Sequence, residues 1–298
     1  MRHLIRLIMV LLITTPGVSL AEMLSDEFNL NEGMKYLDGN GVETDVFKAA
    51  EYFERSNNGI AYYMLGGMYS NTDKEVAKYV LPSNEALAEK YMSKAFSALQ
   101  IAEASGDASA KAYLGNMFYY GIGVEIDRVR GLSLIKQAAD SGYSRAWRLL
   151  GNITMADDPN EAYGYFEKAV NLGDRESEAG LVRVNEIKYA ETFNDVYKDR
   201  IRKLSEEGNS FAMITMAIYE SHAQKYTVSM SLLNKASLDN LSSAKSAAFS
   251  LIALMYHRGQ GVEVSRAMSL SYLNEACKYD VYECYKRDLY KGGKEDWP

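Results

Sequence analysis

Histidine and cysteine, the residues most often used for metal binding and covalent catalysis, are scarce in this sequence. Apart from one histidine at position 3, the chain has only His222 and His257, together with Cys277 and Cys284. Two cysteines and two histidines can bind zinc, but structural zinc sites normally have cysteines paired two to four residues apart, and that pairing is missing here. We therefore expect neither a metal nor a cofactor.

The acidic residues form no recognisable catalytic set. The chain has 40 of them, and those that recur at a fixed place, Glu43, Glu125 and Glu263, lie in repeated turns, which indicates a structural role. The sequence contains no Gly-x-Ser-x-Gly elbow, no P-loop and no dinucleotide fingerprint. These observations favour a protein that is not an enzyme.

The spacing of the two cysteines suits a disulfide only if a helix ends between them. Seven residues of continuous helix span about 10 Å along the axis, which is too far for a bridge. The apolar pattern instead ends one helix near Ala276 and begins another near Tyr282. A bridge between Cys277 and Cys284 would pin the C-terminal cap, residues 277–298, and the alternative is two free thiols.

The N-terminus has the form of a secretory signal peptide. Two arginines precede an apolar run at 7–13, and small residues at 19 and 21 precede a cut after Ala21. The run is shorter than the roughly 20 residues of a membrane span, so stable membrane insertion is not expected. The residue directly after the cut is not a cysteine, so a lipid anchor is not expected either. We expect residues 22–298 to form one periplasmic or secreted domain, in a compartment that favours disulfides.

Composition and charge restrict the class of partner. Apolar residues make up 47% of the chain, which is enough for a folded core. The formal net charge is −7, and removal of the leader with its two arginines leaves 31 basic residues against 40 acidic ones, a charge of −9. Such a chain is a poor candidate for nonspecific binding to nucleic acid.

The chain repeats a unit of two helices. Residues 38–45, 120–127 and 258–265 share a Gly-x-Gly-Val turn. The glycines permit left-handed backbone angles after a helix, and Asp45, Asp127 and Ser265 then stand at the N-cap of the next helix. In the preceding helix a small residue is followed three positions later by an aromatic one, as in Gly33 and Tyr36, which lets two helices approach closely.

Alignment of all copies places equivalent positions at 24, 59, 106, 142, 173, 208, 244 and about 280. The copies at 173 and 208 are degenerate and rest mainly on spacing. One long interval predicts an insertion near 70–82, and a short one reflects a shortened turn at 155–158. Helix pairs of this length bury their apolar faces only by stacking. We predict an all-α solenoid of about seven pairs followed by a C-terminal half-repeat.

The sequence motif of the repeat resembles that of the Sel-like repeat family, which is related to tetratricopeptide repeats. The best match is 110–127, and the resemblance covers about residues 24–298. It implies a right-handed superhelical solenoid. Exported, cysteine-rich members of that family carry cysteines at the same junction between repeats, although in most of their repeats rather than in the last alone. Some members are described as binding or hydrolysing β-lactams, and exported ones act as immunity proteins beside secreted lipases.

The resemblance also implies where a partner binds. In tetratricopeptide repeats, residues at fixed sequence positions relative to the small packing residue line the concave face. In this chain the packing residues are Gly66, Gly115, Gly151 and Ala253. The polar and aromatic residues that this rule selects are Tyr63, Asn116, Tyr119, Tyr120, Arg145, Arg148, Asn152, His257 and Arg258. Amides can bond a peptide backbone, arginines can hold a carboxylate, and tyrosines add contact area.

These inferences lead us to expect an exported protein–protein interaction module, an adaptor or regulator that binds a peptide or protein on its concave face. One alternative is a periplasmic immunity protein that neutralises a secreted phospholipase toxin of the type VI kind. Another is a β-lactam-binding or β-lactam-hydrolysing enzyme. The polar residues selected above can also be no more than solvated or cap-forming side chains.

Overall fold

The computed structural model of the chain describes residues 19–71 and 79–292, which contain 15 α-helices and no strand. We call the odd-numbered helices A helices and the even-numbered ones B helices. The A helices are α1 (Leu20–Asp38), α3 (Gly59–Tyr69), α5 (Ala108–Tyr120), α7 (Ser144–Thr154), α9 (Ser177–Thr192), α11 (Ser210–His222), α13 (Ser242–Arg258) and α15 (Val281–Lys291). The B helices are α2 (Val46–Glu54), α4 (Glu85–Ala104), α6 (Arg128–Asp140), α8 (Pro159–Asn171), α10 (Asp195–Glu206), α12 (Tyr226–Ala236) and α14 (Arg266–Cys277). Seven helix pairs and a final unpaired A helix confirm the predicted all-α repeat.

The Gly-x-Gly turns form as predicted and are alike in all three copies. Gly39 and Gly41 have φ angles of 66° and 74°, in the left-handed region that favours glycine. The amide of Asp45 donates to the carbonyl of Tyr36 at 3.0 Å, and its side chain accepts from the amide of Lys48 at 2.9 Å. The equivalent bonds recur at Asp127 and Ser265, so each turn both ends one helix and begins the next.

Each A helix packs a small residue against a large residue of its B helix. Gly33 lies against the ring of Phe53, and Gly115 lies against Ile135. The large B-helix residues at this position are Phe53, Met92, Ile135, Phe166, Ile201, Leu233 and Leu273, all of them buried. The core is therefore a row of small clusters, one for each repeat, rather than a single centre.

The degenerate copies are helix pairs despite their missing turn signature. The pair α9 and α10 is joined at Phe193, which adopts a left-handed φ of 52°, and Gln224 between α11 and α12 has a φ of 59°. Both turns thus keep the left-handed residue without the glycine. The regular interval between repeats located these pairs correctly, although the sequence motif of the repeat is degenerate there.

The long interval in the second repeat has two sources. Residues 72–78 of the predicted insertion lie outside the described residues. The rest of the extra length lies in α4, which has 20 residues, whereas the other B helices have 9 to 13. Beyond the gap, the hydroxyl of Tyr79 donates to the carbonyl of Cys284 at 3.1 Å, so Tyr79 contacts the C-terminal cap.

Most of the predicted signal peptide, residues 1–18, lies outside the described residues. Helix α1 begins at Leu20, where Ser19 and Glu22 form a capping box. The predicted cut after Ala21 falls in the first turn of this helix and would remove Ser19. Within the described part of the chain, no helix is both long and apolar enough to cross a membrane.

The two ends of the solenoid contact each other. The amide and hydroxyl of Thr44, in the first Gly-x-Gly turn, both donate to the carbonyl of Lys278, at 2.8 and 3.2 Å. The hydroxyl of Ser242 donates to the carbonyl of Gly39 at 2.8 Å, and Glu43 lies 4.0 Å from the ammonium of Lys278. The stack therefore curves far enough for its first repeat to rest on its last, which the sequence did not indicate.

The cysteines lie at the junction where the sequence placed them. Cys277 ends α14, Cys284 lies in the first turn of α15, and their sulfur atoms are 1.94 Å apart, the distance of a disulfide. The carbonyls of Lys278 and Cys284, which accept the bonds from Thr44 and Tyr79, adjoin this pair. The bridge therefore holds both the cap and the surface on which the first repeats rest.

We expect the Cys277→Ser, Cys284→Ser double variant to lose about 2.5 kcal/mol of unfolding free energy, because its unfolded chain is no longer restrained by the loop. Urea denaturation of the mature protein with and without reductant measures the effect. The reduced wild type should have the same urea denaturation midpoint as the double variant. Equal denaturation midpoints for the oxidised and reduced wild type would show that no stabilising bridge forms.

Candidate functional site

A pocket of about 250 Å³ lies on the inner face, where the four consecutive A helices α1, α3, α5 and α7 meet. We call it the inner-face pocket. Its polar lining residues are Asp38, Asn116, Arg145, Arg148 and Asn152, and its apolar ones are Met34, Leu37, Met64, Ala112, Tyr113 and Leu149. The pocket thus draws on residues more than a hundred positions apart in the chain.

Two asparagines occupy the same position in consecutive A helices, directly after the packing glycine. The side-chain amide of Asn116 donates to the hydroxyl of Tyr63 at 2.8 Å. Its Oδ1 is buried and has no hydrogen-bond partner among the described residues. Asn152 is exposed, and its side chain makes no hydrogen bond within the described part of the chain. Asn116 therefore offers an unpaired acceptor, whereas Asn152 offers both a donor and an acceptor.

Arg145 is held by a tyrosine rather than by a carboxylate. Its Nη1 donates to the hydroxyl of Tyr113, whose ring packs edge-on against Tyr63 at a centroid distance of 5.2 Å. Burial raises the pKa of Tyr113, with Arg145 partly opposing it, and burial raises the pKa of Tyr143 to about 12. Burial alone would lower the pKa of Arg145, but the two tyrosines and Asp38 raise it. The hydroxyls are therefore neutral at physiological pH, and the guanidinium keeps its charge.

Arg148 is already engaged in an ion pair. Its Nε donates to Oδ2 of Asp174 at 2.7 Å, and the hydroxyl of Ser177 donates to the same oxygen at 2.9 Å. This arrangement ties α7 to the start of α9. Of the two arginines that line the pocket, Arg145 is the one without a carboxylate within 4 Å among the described residues.

Asp38 supplies a carboxylate to the pocket from the last turn of α1. Asp38 is accessible to solvent, but the helices around the inner face partly desolvate its carboxyl group. This desolvation raises the pKa of the carboxyl, and the positive charges of Arg145 and Arg148 partly oppose the increase. Within the described residues, no cation lies within ion-pairing distance of Asp38. Burial likewise raises the pKa of nearby Glu176, which accepts a bond from Ser243 at 3.3 Å. The inner face therefore carries acceptors that the chain itself leaves weakly matched.

The sequence profile of the Sel1 repeat matches residues 33–58, 59–98, 108–143, 149–174 and 248–278, which together make up more than half of the chain. The chain belongs to the Sel1 repeat family. Each matched segment corresponds to a helix pair or most of one, and the unmatched stretch 175–247 holds the two degenerate pairs, α9 to α12. No curated protein matches the chain.

Several solved structures share the helical repeat with this Sel1 protein. A Sel1 repeat protein from Oxalobacter formigenes is 17% identical, with a TM-score of 0.44 over 83% of this chain and 96% of the other. A Sel1 repeat protein from Klebsiella pneumoniae is 21% identical, with a TM-score of 0.35 over 66% and 99%. Immunity protein Pa5087 from Pseudomonas aeruginosa is 16% identical, with a TM-score of 0.45 over 76% and 83%. Similarity at this level says nothing of what this chain binds.

The fold brings together some of the residues that the sequence selected and separates others. Asn116, Arg145, Arg148 and Asn152 share the inner-face pocket, and Tyr63 joins it through its bond to Asn116. Tyr119 and Tyr120 contact each other with centroids 4.8 Å apart at the end of α5, outside the pocket lining. His257 lies 3.0 Å from the hydroxyl of Tyr290, and Arg258 lines a separate pocket of about 80 Å³. The last two residues therefore belong to a different part of the Sel1 stack.

Sequence reasoning missed part of the lining, although a signal for it existed. The rule that selected the other positions, if applied to Gly33, yields Met34, Leu37 and Asp38, the three residues that α1 contributes to the pocket. The rule omits the position two residues before the packing glycine. Met64, Tyr113 and Leu149 occupy this position in three consecutive A helices, and all three line the pocket.

The groups in the inner-face pocket suit recognition. Among its described lining residues there is no serine, cysteine or histidine. No group of three or more potential metal ligands occurs in the described residues of the chain. The pocket instead combines hydrogen-bond acceptors, a charged guanidinium and an apolar wall, as binding sites commonly do.

Proposed function

We propose that this protein is an exported, periplasmic binding module, an adaptor or regulator whose partner inserts a short segment into the inner-face pocket. Sel1 repeat proteins are protein-interaction modules, and the predicted signal peptide supports export. The observation that carries the proposal is a set of three polar groups on one concave surface. The carboxylate of Asp38, Oδ1 of Asn116 and the amide of Asn152 all lack a protein partner among the described residues.

The size of the pocket restricts what enters it. A volume of about 250 Å³ holds one or two residues, so the partner contributes a loop tip or chain end rather than a long extended peptide. The wall formed by Met34, Leu37 and Met64 suits an apolar side chain. The acceptors on Asp38 and Asn116 require donors, which a backbone amide or a basic side chain supplies.

The unpaired acceptor of Asn116 supports the same conclusion through its energy. A buried polar atom without a hydrogen bond costs roughly 1–3 kcal/mol. A partner that donates to this oxygen would recover that cost on binding. A partner with a hydrogen-bond donor at this point should therefore bind more tightly than a partner that presents only apolar surface.

We expect the Asn116→Ala, Asn152→Ala double variant to bind its partner at least about tenfold more weakly, since two hydrogen bonds are lost. The partner is first captured through a photo-reactive residue placed at position 152 of the mature protein, in cells that produce it. Its affinity for the purified wild-type and variant proteins is then measured by calorimetry. A secreted phospholipase as partner would indicate an immunity protein, and an envelope protein would indicate an adaptor.

Asn234, an exposed residue on α12, provides the control for both steps. A photo-reactive residue at 234 should not capture the same partner, and Asn234→Ala should bind as the wild type does. Equal affinity of the double variant, with an unchanged melting temperature, would contradict the proposal.

A further inference from the structure

In three repeats, the A helix and the following B helix are joined by a stacked pair of tyrosines. The pairs are Tyr36–Tyr52, Tyr69–Tyr91 and Tyr256–Tyr272, with ring centroids 5.7, 5.8 and 5.6 Å apart. In each pair the first tyrosine follows the small packing residue of the A helix by three positions. The second directly precedes the large buried residue of the B helix. The stacked pair therefore occupies the same two positions in three of the seven helix pairs.

The fifth repeat, α9 and α10, has polar residues at both of these positions. Val182 and Ile201 pack together as its small and large residues, so the equivalents of the two tyrosines are Asn185 and Arg200. Both residues line a pocket of about 300 Å³ between α8, α9 and α10, which we call the fifth-repeat pocket. The fifth repeat thus has an opening at the two positions where three other repeats contain stacked rings.

Asn185 is buried without full hydrogen bonding. It is 1% exposed, and its side-chain amide donates to the carbonyl of Leu181 at 2.8 Å. That bond fixes the orientation of the amide, because the reverse orientation would place two acceptors against each other. Its Oδ1 has no partner among the described residues. Such an atom in a native structure calls for an explanation, and an absent ligand is one.

The charged residues of the fifth-repeat pocket are cations. Lys188 lies 3.5 Å from Glu191, a weak pair, and Arg200 has no carboxylate within 4 Å in the described part of the chain. The guanidinium of Arg200 lies 5.3 Å from the ring centre of Tyr197. Tyr163 completes the wall, and both Tyr163 and Arg200 also line a neighbouring pocket that carries the carboxylates of Glu167 and Glu207. The positive end of the site is therefore the side of Lys188 and Arg200.

We propose that the fifth-repeat pocket binds a small aromatic carboxylate, either a free aromatic acid or the C-terminal aromatic residue of a peptide. The ring of the ligand takes the place of the missing tyrosines, and its carboxylate pairs with Arg200 and Lys188. A donor on the ligand reaches Oδ1 of Asn185 once the side chains that cover this atom move. The site shares no residue with the inner-face pocket, so it extends the proposed function with a second, independent ligand.

Titration of the mature protein with N-acetyl-L-tyrosine, followed by nuclear magnetic resonance, tests this inference. We expect saturable binding, with N-acetyl-L-tyrosinamide at least about tenfold weaker because it lacks the carboxylate. Hydroxyphenylpropionate, which lacks the amide N–H, separates the two sources. If hydroxyphenylpropionate binds more weakly than N-acetyl-L-tyrosine, the natural ligand is the C-terminus of a peptide. If the two bind equally well, the natural ligand is a free aromatic acid.

Matched variants locate the site. Arg200→Gln should weaken binding of N-acetyl-L-tyrosine at least about tenfold, whereas Arg202→Gln, an exposed arginine on the same helix, should leave it unchanged. Asn185→Leu, close in size, should raise the melting temperature and weaken binding. If Asn185→Leu does not fold, the pair of arginine variants still decides. Absence of saturable binding up to about 10 mM, equal affinity for acid and amide, or no effect of Arg200→Gln would overturn the proposal.

Discussion

Replacement of Gly131 by alanine is expected to lower the free energy of unfolding by about 3 kcal/mol, toward the upper end of what overpacking costs. A Cβ at this position would lie 2.6 Å from the backbone nitrogen of Tyr119 and 2.7 Å from the carbonyl oxygen of Gly115. These atoms belong to the backbone of α5, which cannot swing aside as a side chain can. Helices α5 and α6 would have to separate, and the third repeat would lose its packing.

Two other glycines provide graded controls for this experiment. At Gly66 the three atoms nearest to the added methyl would all belong to the side chain of Met92, which is flexible, so Gly66→Ala should cost only about 1 kcal/mol. At Gly164, inside α8, nothing lies within 4 Å, so alanine should stabilise the helix by about 0.5–1 kcal/mol. Urea denaturation of the three variants measures the series. A Gly131→Ala variant as stable as the wild type would show that α5 and α6 do not cross at this distance.

The second large effect is expected for Asp239→Asn, with a loss of about 2 kcal/mol in unfolding free energy near neutral pH. Asp239 accepts two bonds from Arg175, both at 2.9 Å, one from the hydroxyl of Ser210, and one from the amide of Leu241 at 2.8 Å. It thereby joins the starts of α9 and α11 to the loop before α13. Breaking a fully buried pair costs about 3–5 kcal/mol, but Arg175 is partly exposed and would be rehydrated, which reduces the loss.

The pH dependence of stability provides an independent readout for Asp239. Burial alone would raise its pKa, but the bonds from Arg175, Ser210 and Leu241 outweigh that effect and lower the pKa to about 2. The ordinary value is 3.8, so the unfolded chain takes up the proton first as the solution is acidified. The stabilisation is therefore complete above about pH 4 and is lost as the pH falls toward 2. A shift of this size corresponds to about 2 kcal/mol.

Stability curves for wild type and Asp239→Asn should therefore converge between about pH 4 and pH 2. Asp199→Asn serves as the control, because Asp199 pairs with Arg202 on the exposed surface of α10. Its loss should cost less than about 1 kcal/mol, as exposed pairs do. Parallel curves for wild type and Asp239→Asn would contradict the role assigned to this carboxylate.

The sequence grouped some residues of the candidate site but gave none of their contacts. A register taken from related repeats selected Asn116, Arg145, Arg148 and Asn152, which line one pocket of the structure. It could not reveal that the amide nitrogen of Asn116 is occupied by Tyr63, because their helices belong to different repeats. It also placed His257 and Arg258 in the same set, although the stack carries them to another part of the surface.

The degenerate repeats show the same division. Spacing alone was sufficient to predict α9 to α12, because helix pairs of constant length must stack at constant intervals. The importance of Asn185 and Arg200 emerged only when the stacked tyrosines of other repeats were seen in three dimensions. Once that pattern is known, their polar character at two aromatic positions is visible in the sequence itself.

By itself, the sequence determined the helix pairs, their capped turns, the small-against-large packing and the junction between helices at which Cys277 and Cys284 lie. Each of these depends on residues within about one repeat of each other, so local propensity and spacing are sufficient. Only the tertiary structure decided that Thr44 meets Lys278 and that Asp38 lies near Arg145. Such contacts depend on the curvature of the stack, in which a small rotation at every repeat accumulates over the whole chain, and no local pattern encodes that sum.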